Sequence, residues 1–406
     1  MFTTNIPYFQ ALFRPLYFSL SQNLRKYLVE NSFFERVLLF RYQVFADVTA
    51  ETSIITLVKN KMQNDEILIN YFDNVHEVDS KIYKFIAQGD WLNSYELGFN
   101  LLFYREKLRV INRILENTYE LENNCIVASG MVPYEVGKGT PKQSREDLKN
   151  RIYDSSYQVD KTYKNYIVGG SINKFIIVPS KTDWIKFGDN LAAPRKNFNF
   201  FQKKIMVRQT SDKIIASIDS VGLVSLKSVH NIVLKDDTMK YETLICILNS
   251  KLMDFYYKYL VPEEGRTFAE VKAVNLKRLP IKIIEESLDQ EPYIDKVDTM
   301  LELNKTFQNK KQKFLKRLKD NFDLDKLSKK LEAFYEHDFK TFVNELKKKK
   351  VTLSLKEQDE WEEYFEAYQK ELLEIKAKID TTDKQIDEMV YALYGLSEDE
   401  VAMVEK

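Results

Sequence analysis

Few residues in this chain are spaced for covalent or metal chemistry. Gly137-Lys-Gly139-Thr140 has the glycine and lysine of a phosphate-cradling loop, but the first glycine of that motif is missing and Gly139 stands where a Ser or Thr is required, so the segment reads as a turn. Glu374-Ile-Lys376 is the E-x-K half of a nuclease motif, yet no Pro-Asp precedes it and it falls inside a helical repeat, where it reads as a solvated pair. Cys125 and Cys246 lie far apart with no CxxC spacing, and His76, His230 and His337 are equally scattered. A Cys/His zinc site and a disulfide framework are therefore not expected. The first glycine is Gly89, so residues 1–88 hold no Gly-rich nucleotide turn, and no later Gly-x-Gly-x-x-Gly follows a strand. No catalytic residue, metal ligand or cofactor-binding residue is assigned.

The elements that would carry any remaining polar chemistry change character along the chain. Residues 1–62 alternate helix and strand: Asn23–Asn31 has helical spacing, Val37–Phe40 is a short apolar run, and Thr52–Val58 is β-branched. They resemble the edge of an α/β sheet, incomplete because two or three strands cannot bury both faces of a parallel sheet. Residues 63–124 read as a connector with a helix from about 100 to 120, its apolar side formed by Leu101, Leu108, Ile111 and Leu115. Residues 125–295 contain Gly/Pro-punctuated loops and the strands 204–210, 213–219 and 229–234. Tyr241, Ile245, Leu248, Leu252, Phe255 and Tyr259 then step at helical spacing, marking one amphipathic helix packed on that sheet. From 296 the chain is helical. Ser354 and Glu357 form a capping box, Trp361, Phe365, Tyr368, Leu372, Ile375 and Ile379 form a coiled-coil seam, and a second box at Ser397 and Glu400 follows Gly395. The expected fold class is α+β and multidomain.

Lysine plus arginine and aspartate plus glutamate both total 61, so a uniformly basic coat is ruled out. The sign varies by segment: 138–210 carries 15 basic against 6 acidic residues, 301–350 carries 15 against 8, and 351–406 carries 6 against 16. A polyanion-binding centre and ordinary charged helix faces both fit the two basic segments. No stretch is apolar enough to span a membrane and the amino terminus lacks an apolar core ending in a small-residue cleavage site, which points to a cytoplasmic protein.

Several stretches then fall in one order: Leu24-Arg25-Lys26, Val44 through Thr52, Gly130 through Gln143, Leu191 through Arg195, Met206 through Thr210, Ser225 through Asn231 and Leu248 through Leu252. Together they resemble the carboxy-terminal half of type IIG restriction-modification enzymes, adenine-N6 DNA methyltransferases with a TaqI-like carboxy-terminal specificity domain. The resemblance implies a remnant methyltransferase α/β domain at 1–62, a helical connector at 63–124, a target-recognition domain at 125–295, and a helical tail with a coiled-coil segment at 296–406. It implies that Phe45, at a strand end, stacks on an extruded adenine that has lost both neighbours. It also implies DNA contact by Lys138, Lys142, Gln143, Arg195, Arg208, Gln209, Lys227 and Arg266, whose side chains offer donors and acceptors for base edges or phosphates.

Asn5-Ile-Pro-Tyr8 resembles the Asn-Pro-Pro-Tyr catalytic loop but departs from it at Ile6, and the S-adenosylmethionine motif and its acidic ribose ligand are absent. The chain thus resembles a methyltransferase severed after its catalytic loop. S-adenosylmethionine is expected only with an upstream segment or a methyltransferase or nuclease partner chain, without which the protein would be inactive. Double-stranded DNA is the expected partner. A second reading keeps the heptad tail and the sheet edge as an assembly module of a DNA-modification or phage-defence complex.

Overall fold

The computed structural model describes residues 8–13, 22–40, 42–45, 52–59, 65–78, 83–92, 105–180, 182–261, 269–284 and 287–406. Asn5, Ile6, Pro7 and Arg266 lie outside them. The chain divides into two compact units, one of residues 1–118, 255–269 and 394–406, the other of 119–254 and 270–393.

The first unit holds β1 (Tyr8–Phe13), α1 (Gln22–Asn31), β2 (Ser32–Phe40), β3 (Thr52–Lys59), β4 (Glu66–Phe72), β5 (Lys84–Ala87), α2 (Gln88–Leu92) and α3 (Arg105–Leu115). The strands form one sheet in the order β1-β3-β2-β4-β5. Alternate residues point to one side, as strand geometry requires, so Val37, Leu39, Ile55, Leu57, Ile67, Ile69 and Ile86 share a core with Val29 and Trp91. Gln88 locks α1 onto this core: its amide donates to the carbonyls of Val29 and Ser32 at 2.9 and 2.7 Å and accepts from the Phe34 amide at 2.8 Å.

This sheet differs from the expected parallel edge. Only β2 and β4 pair in parallel, and β1·β3, β2·β3 and β4·β5 are antiparallel. Two of its strands, β4 and β5, fall in the stretch read as a helical connector, because their brief apolar alternation is flanked by polar residues that dilute it. In α3 the buried stripe is Val110, Ile111 and Ile114, while Leu115 is exposed.

The second unit begins with β6 (Tyr119–Glu120), α4 (Leu121–Asn124), β7 (Cys125–Ser129), α5 (Arg145–Asn150), β8 (Asp154–Ser155), β9 (Tyr163–Ile167), β10 (Ile172–Asn173), β11 (Ile176–Ile177) and β12 (Trp184–Lys186). It continues with β13 (Lys204–Arg208), β14 (Ala216–Asp219), β15 (Val224–Ser225) and β16 (Val229–Leu234). Two four-stranded sheets result, β14-β13-β16-β7 and β15-β9-β12-β8. Met131, Tyr166, Ile185, Leu191, Phe200 and Val224 fill one core cluster, and Ile167, Ile172, Met206 and Val229 another. Lys204 and Asp219 face each other across β13 and β14, both fully buried, and the Lys204 ammonium also donates to the Phe200 carbonyl.

The amphipathic run after β16 is two helices, α6 (Tyr241–Asn249) and α7 (Lys251–Leu260), broken at Ser250, whose backbone is extended. The break frees Asn249 to act as a strand surrogate: its Oδ1 accepts from the Ala216 amide at 2.9 Å and its Nδ2 donates to the Ala216 carbonyl at 3.0 Å. That satisfies backbone groups on the edge strand β14. Cys125 and Cys246 are free, buried thiols, and burial pushes the Cys125 thiol up to about 12. After α8 (Ala273–Lys277), β17 (Pro280–Ile281) pairs with β6.

The remainder is helical, with α9 (Glu291–Phe322), α10 (Lys329–Glu332), α11 (Phe339–Lys348), α12 (Leu355–Tyr394) and α13 (Glu398–Val404). The seam residues Trp361, Phe365, Tyr368, Leu372, Ile375 and Ile379 pack on Phe307, Phe314, Leu315 and Leu318 of α9. Lys296 donates to Gln385 at 2.8 Å, Lys310 pairs with Glu371 at 2.6 Å, and the rings of Phe322 and Trp361 lie 5.1 Å apart, so the two long helices run antiparallel. Both capping boxes are present, and Gly395 takes the left-handed conformation (φ 69°) between α12 and α13. Glu374 and Lys376 lie on α12, where Lys376 pairs with Asp380. Among the described residues no helix is long and apolar enough to cross a membrane.

Candidate nucleic-acid interface

Loops from distant parts of the second unit are stitched together around residues 225–229. The Ser228 carbonyl accepts from the Gln209 amide at 2.9 Å, and its hydroxyl accepts from the Gly169 amide at 3.0 Å. Leu226 donates to Ile167 at 3.0 Å, Met131 donates to Ser225 at 2.8 Å, and Gly130 donates to Val229 at 2.9 Å. A Cβ on Gly130 would sit 2.1 Å from the Leu226 carbonyl oxygen, so only glycine admits this approach. Val132 and Ala193 exchange amide bonds of 3.0 and 2.8 Å, which draws in the loop bearing Arg195. On the far side the Val271 amide donates to Gln209 at 2.7 Å, and the Val271 carbonyl lies 2.8 Å from His230 Nε2. A carbonyl can only accept, so Nε2 carries the proton; burial lowers the pKa of His230 and favours that neutral form.

On this scaffold Arg208 ends β13, half-buried, with its Nε donating to the Thr210 carbonyl at 2.9 Å. Arg195 makes the same kind of contact, Nε to the Gly130 carbonyl at 3.2 Å, and holds a left-handed backbone (φ 59°) that disfavours a side chain. In both, one edge of the guanidinium is fixed by backbone and the Nη pair has no partner among the described residues. The main chain of Gln209 is bonded on both sides, to Ser228 and Val271, while its side chain is half-exposed. Lys227 is exposed in the turn that starts β16. Arg195, Arg208, Gln209 and Lys227 are thus gathered within a few residues of one hub.

Lys138 and Lys142 sit exposed on the neighbouring 132–143 loop, a turn with Gly137 and Gly139 both at positive φ. Gln143, expected to contact DNA, lies inside that loop and holds it together. It is 2% exposed; its Oε1 accepts from the Glu135 amide at 2.9 Å, and its Nε2 donates to Pro133 and Asn190 carbonyls at 2.9 and 2.8 Å. Both hydrogens of its side-chain amide are thereby used inside the loop. Beside it the rings of Tyr134 and Tyr153 stack 5.8 Å apart, and Arg151 lies over Tyr134 while bonding Asp154. Among the described residues Lys138, Lys142, Arg195, Arg208 and Lys227 have no carboxylate in ion-pair reach. By contrast Arg151, Lys174, Lys196, Lys203 and Lys204 each have one. Arg145, Lys149, Lys161, Lys164 and Lys186, like the loop cations, have none among the described residues, so the unpaired positive charge of 138–210 includes these loops and the strands and helix beside them.

Sequence reasoning missed the organisers. Gly169, Ser228 and His230 touch no expected ligand, yet their bonds set the loop positions. A glycine directly after an apolar strand, as at Gly169, is the signal of close backbone approach that would have found one of them. Phe45 lies in the first unit, 47% exposed, with its carbonyl accepting from the Gln43 side-chain Nε2 at 2.8 Å. It is not a core residue.

Residues 164–281 match the TaqI-like C-terminal specificity domain. The match takes in Arg195, Arg208, Gln209 and Lys227 with the strands that carry them, and begins after the 132–143 loop. Residues 286–390 match a domain of unknown function (DUF8810), which covers α9 to α12. No curated protein sequence is significantly similar to the chain.

Among solved structures, the type IIL restriction-modification enzyme MmeI in complex with DNA is similar over 97% of this chain and 48% of its own, at 10% identity and a TM-score of 0.43. The type IIG restriction endonuclease BpuSI is similar over 72% and 42%, at 10% identity and a TM-score of 0.34. A nuclease-deletion mutant of the type ISP restriction-modification enzyme LlaGI, in complex with a DNA substrate mimic, is similar over 73% and 29%, at 12% identity and a TM-score of 0.36. The chain spans less than half the length of each.

Proposed function

We propose that this chain is the DNA target-recognition portion of a type IIG-like adenine-N6 methyltransferase and restriction enzyme, with catalysis supplied by a further segment or partner that binds S-adenosylmethionine. The observation that carries the reading is the pair of half-tethered arginines. With Nε of Arg208 bonded to Thr210, the guanidinium offers its Nη pair end-on, the fork that matches guanine O6 and N7. Arg195 is prepared in the same way by Gly130. Donors held by backbone lose little freedom on binding, which favours discrimination over adhesive contact.

Lys138, Lys142 and Lys227 are assigned to phosphates, which set register without reading sequence. Phe45 is assigned to stacking on the extruded adenine, for which its exposure leaves the ring face accessible. Such an enzyme works on DNA in the cytoplasm, in defence against phage.

Arg208→Ala tests the reading. Its exposed bond to Thr210 is worth about 1 kcal/mol, so the melting temperature should hardly move. Preference at one base position should fall by about 1–3 kcal/mol in competition binding. A sharp drop in melting temperature with uniform loss of affinity would assign Arg208 to the fold instead.

A further inference from the structure

The segment that matches a domain of unknown function is an arm with a charged end. Its base is held at Gln290, whose side chain accepts from the Lys240 amide at 2.8 Å and the Thr243 hydroxyl at 3.0 Å and donates to the Thr238 carbonyl at 2.9 Å. From there α9 runs 32 residues, roughly 48 Å at 1.5 Å per residue. At the far end Phe314 stacks on Phe334 with ring centroids 3.7 Å apart, and Phe342 and Phe365 close around it. The end is thus a packed body, not a frayed loop.

On its surface two helix ends meet. The Ser328 hydroxyl, at the start of α10, donates to Glu345 of α11 at 2.7 Å, and Lys348 donates to the other oxygen of Glu345 at 2.6 Å. This contact brings Lys329 and Lys330, in the first turn of α10, beside Lys347, Lys348, Lys349 and Lys350 at the end of α11. All six are exposed. Among the described residues only Lys348 has a carboxylate in ion-pair reach, the nearly buried Glu345.

Cations at the end of α11 suit the negative pole of that helix. α10 is a single turn of four residues, so no helix pole accounts for Lys329 and Lys330. The outward face of α12 carries Glu362, Glu363 and Glu366, all exposed, and would repel a polyanion. One face of the arm's end is therefore open to a phosphate chain and another is closed to it.

We infer that the lysine cluster at the tip of the helical arm binds the phosphate backbone of duplex DNA outside the recognised bases. The near part of the arm packs on α6 and β11, and its tip lies at the far end of a helix of roughly 48 Å, a length comparable to one turn of the duplex, about 34–36 Å, so phosphates other than those at the specificity loops are the ones it would meet. This inference deepens the recognition reading, from which it takes the nature of the partner. Contacts of this kind carry no sequence information and act through counterion release.

The test uses the full chain, random-sequence duplexes of about 40 bp, and the variant with Lys329, Lys330, Lys347 and Lys349 all changed to Gln. Affinity near 0.1 M salt should fall by about tenfold or more for every duplex, and the slope of log K against log salt should become shallower by about two to three units. The corresponding Lys→Arg variant should bind as the wild type does, and the Gln variant should keep its melting temperature. Unchanged affinity and slope in the Gln variant would overturn the inference. So would intact DNA binding with an altered sedimentation coefficient, which would place the acidic face of a second copy on the lysines. A chain with no sequence preference that keeps the lysine-dependent slope sustains the tip assignment while removing the recognition reading.

Discussion

Arg208 gives one guanidinium edge to the Thr210 carbonyl and keeps the other, whereas Gln143 gives its entire amide to Glu135, Pro133 and Asn190. The two residue types offer comparable recognition chemistry in the sequence, and only the positions of nearby carbonyls separate a side chain with donors left over from one that is used up inside its loop. Burial decides a third residue in the opposite sense to the usual carboxylate. Asp387 of α12 accepts from the Lys251 amide at the start of α7 at 2.8 Å, but its other oxygen has no partner among the described residues, and burial raises its pKa to about 6.

A folded pKa above the unfolded value means that the native state holds the proton more tightly, so stability falls as pH rises from about 4 to about 6, and the penalty is complete above that range. Asp387→Asn keeps the acceptor for Lys251 and removes the charge. It should raise stability at neutral pH by about 2 kcal/mol and flatten that slope, as read by urea unfolding at several pH values. A variant no more stable than wild type at pH 7.5 would mean that the carboxylate is hydrated.

At the scale of elements, the 132–143 loop and the specificity strands depend on each other. Gln143→Ala leaves the Glu135 amide and two carbonyls without their partner and should cost about 1–3 kcal/mol. It should also weaken duplex binding, because Lys138 and Lys142 would no longer be held, while base preference set at Arg208 survives. If the melting temperature stays put, the loop is held elsewhere.

The elements legible in the sequence are those whose signal is local. Both capping boxes, the α12 seam, and the strands β3, β13 and β16 follow from spacing and branching alone. The rest needs distant partners. β4 and β5 are short strands identified by the neighbours they pair with, and the break at Ser250 goes with the bonds of Asn249 to Ala216 of β14, 33 residues earlier in the chain. The exposed candidates at the loops were legible as residue types, but their convergence on Ser228 was not, since backbone bonds between loops leave no pattern in side chains.

A formal charge of zero conceals a division of labour: among the described residues, cations without a carboxylate partner at the specificity loops, exposed lysines at the tip of the arm, and acidic residues along α12. That arrangement suits a protein that meets DNA at chosen surfaces and is kept off it elsewhere. That the loops read sequence is tested by selection from a random duplex pool with the purified chain. One short site should be enriched, with each mismatch costing about 1–3 kcal/mol. A pool that stays random through successive rounds, although the protein retains duplex at low salt, would contradict it.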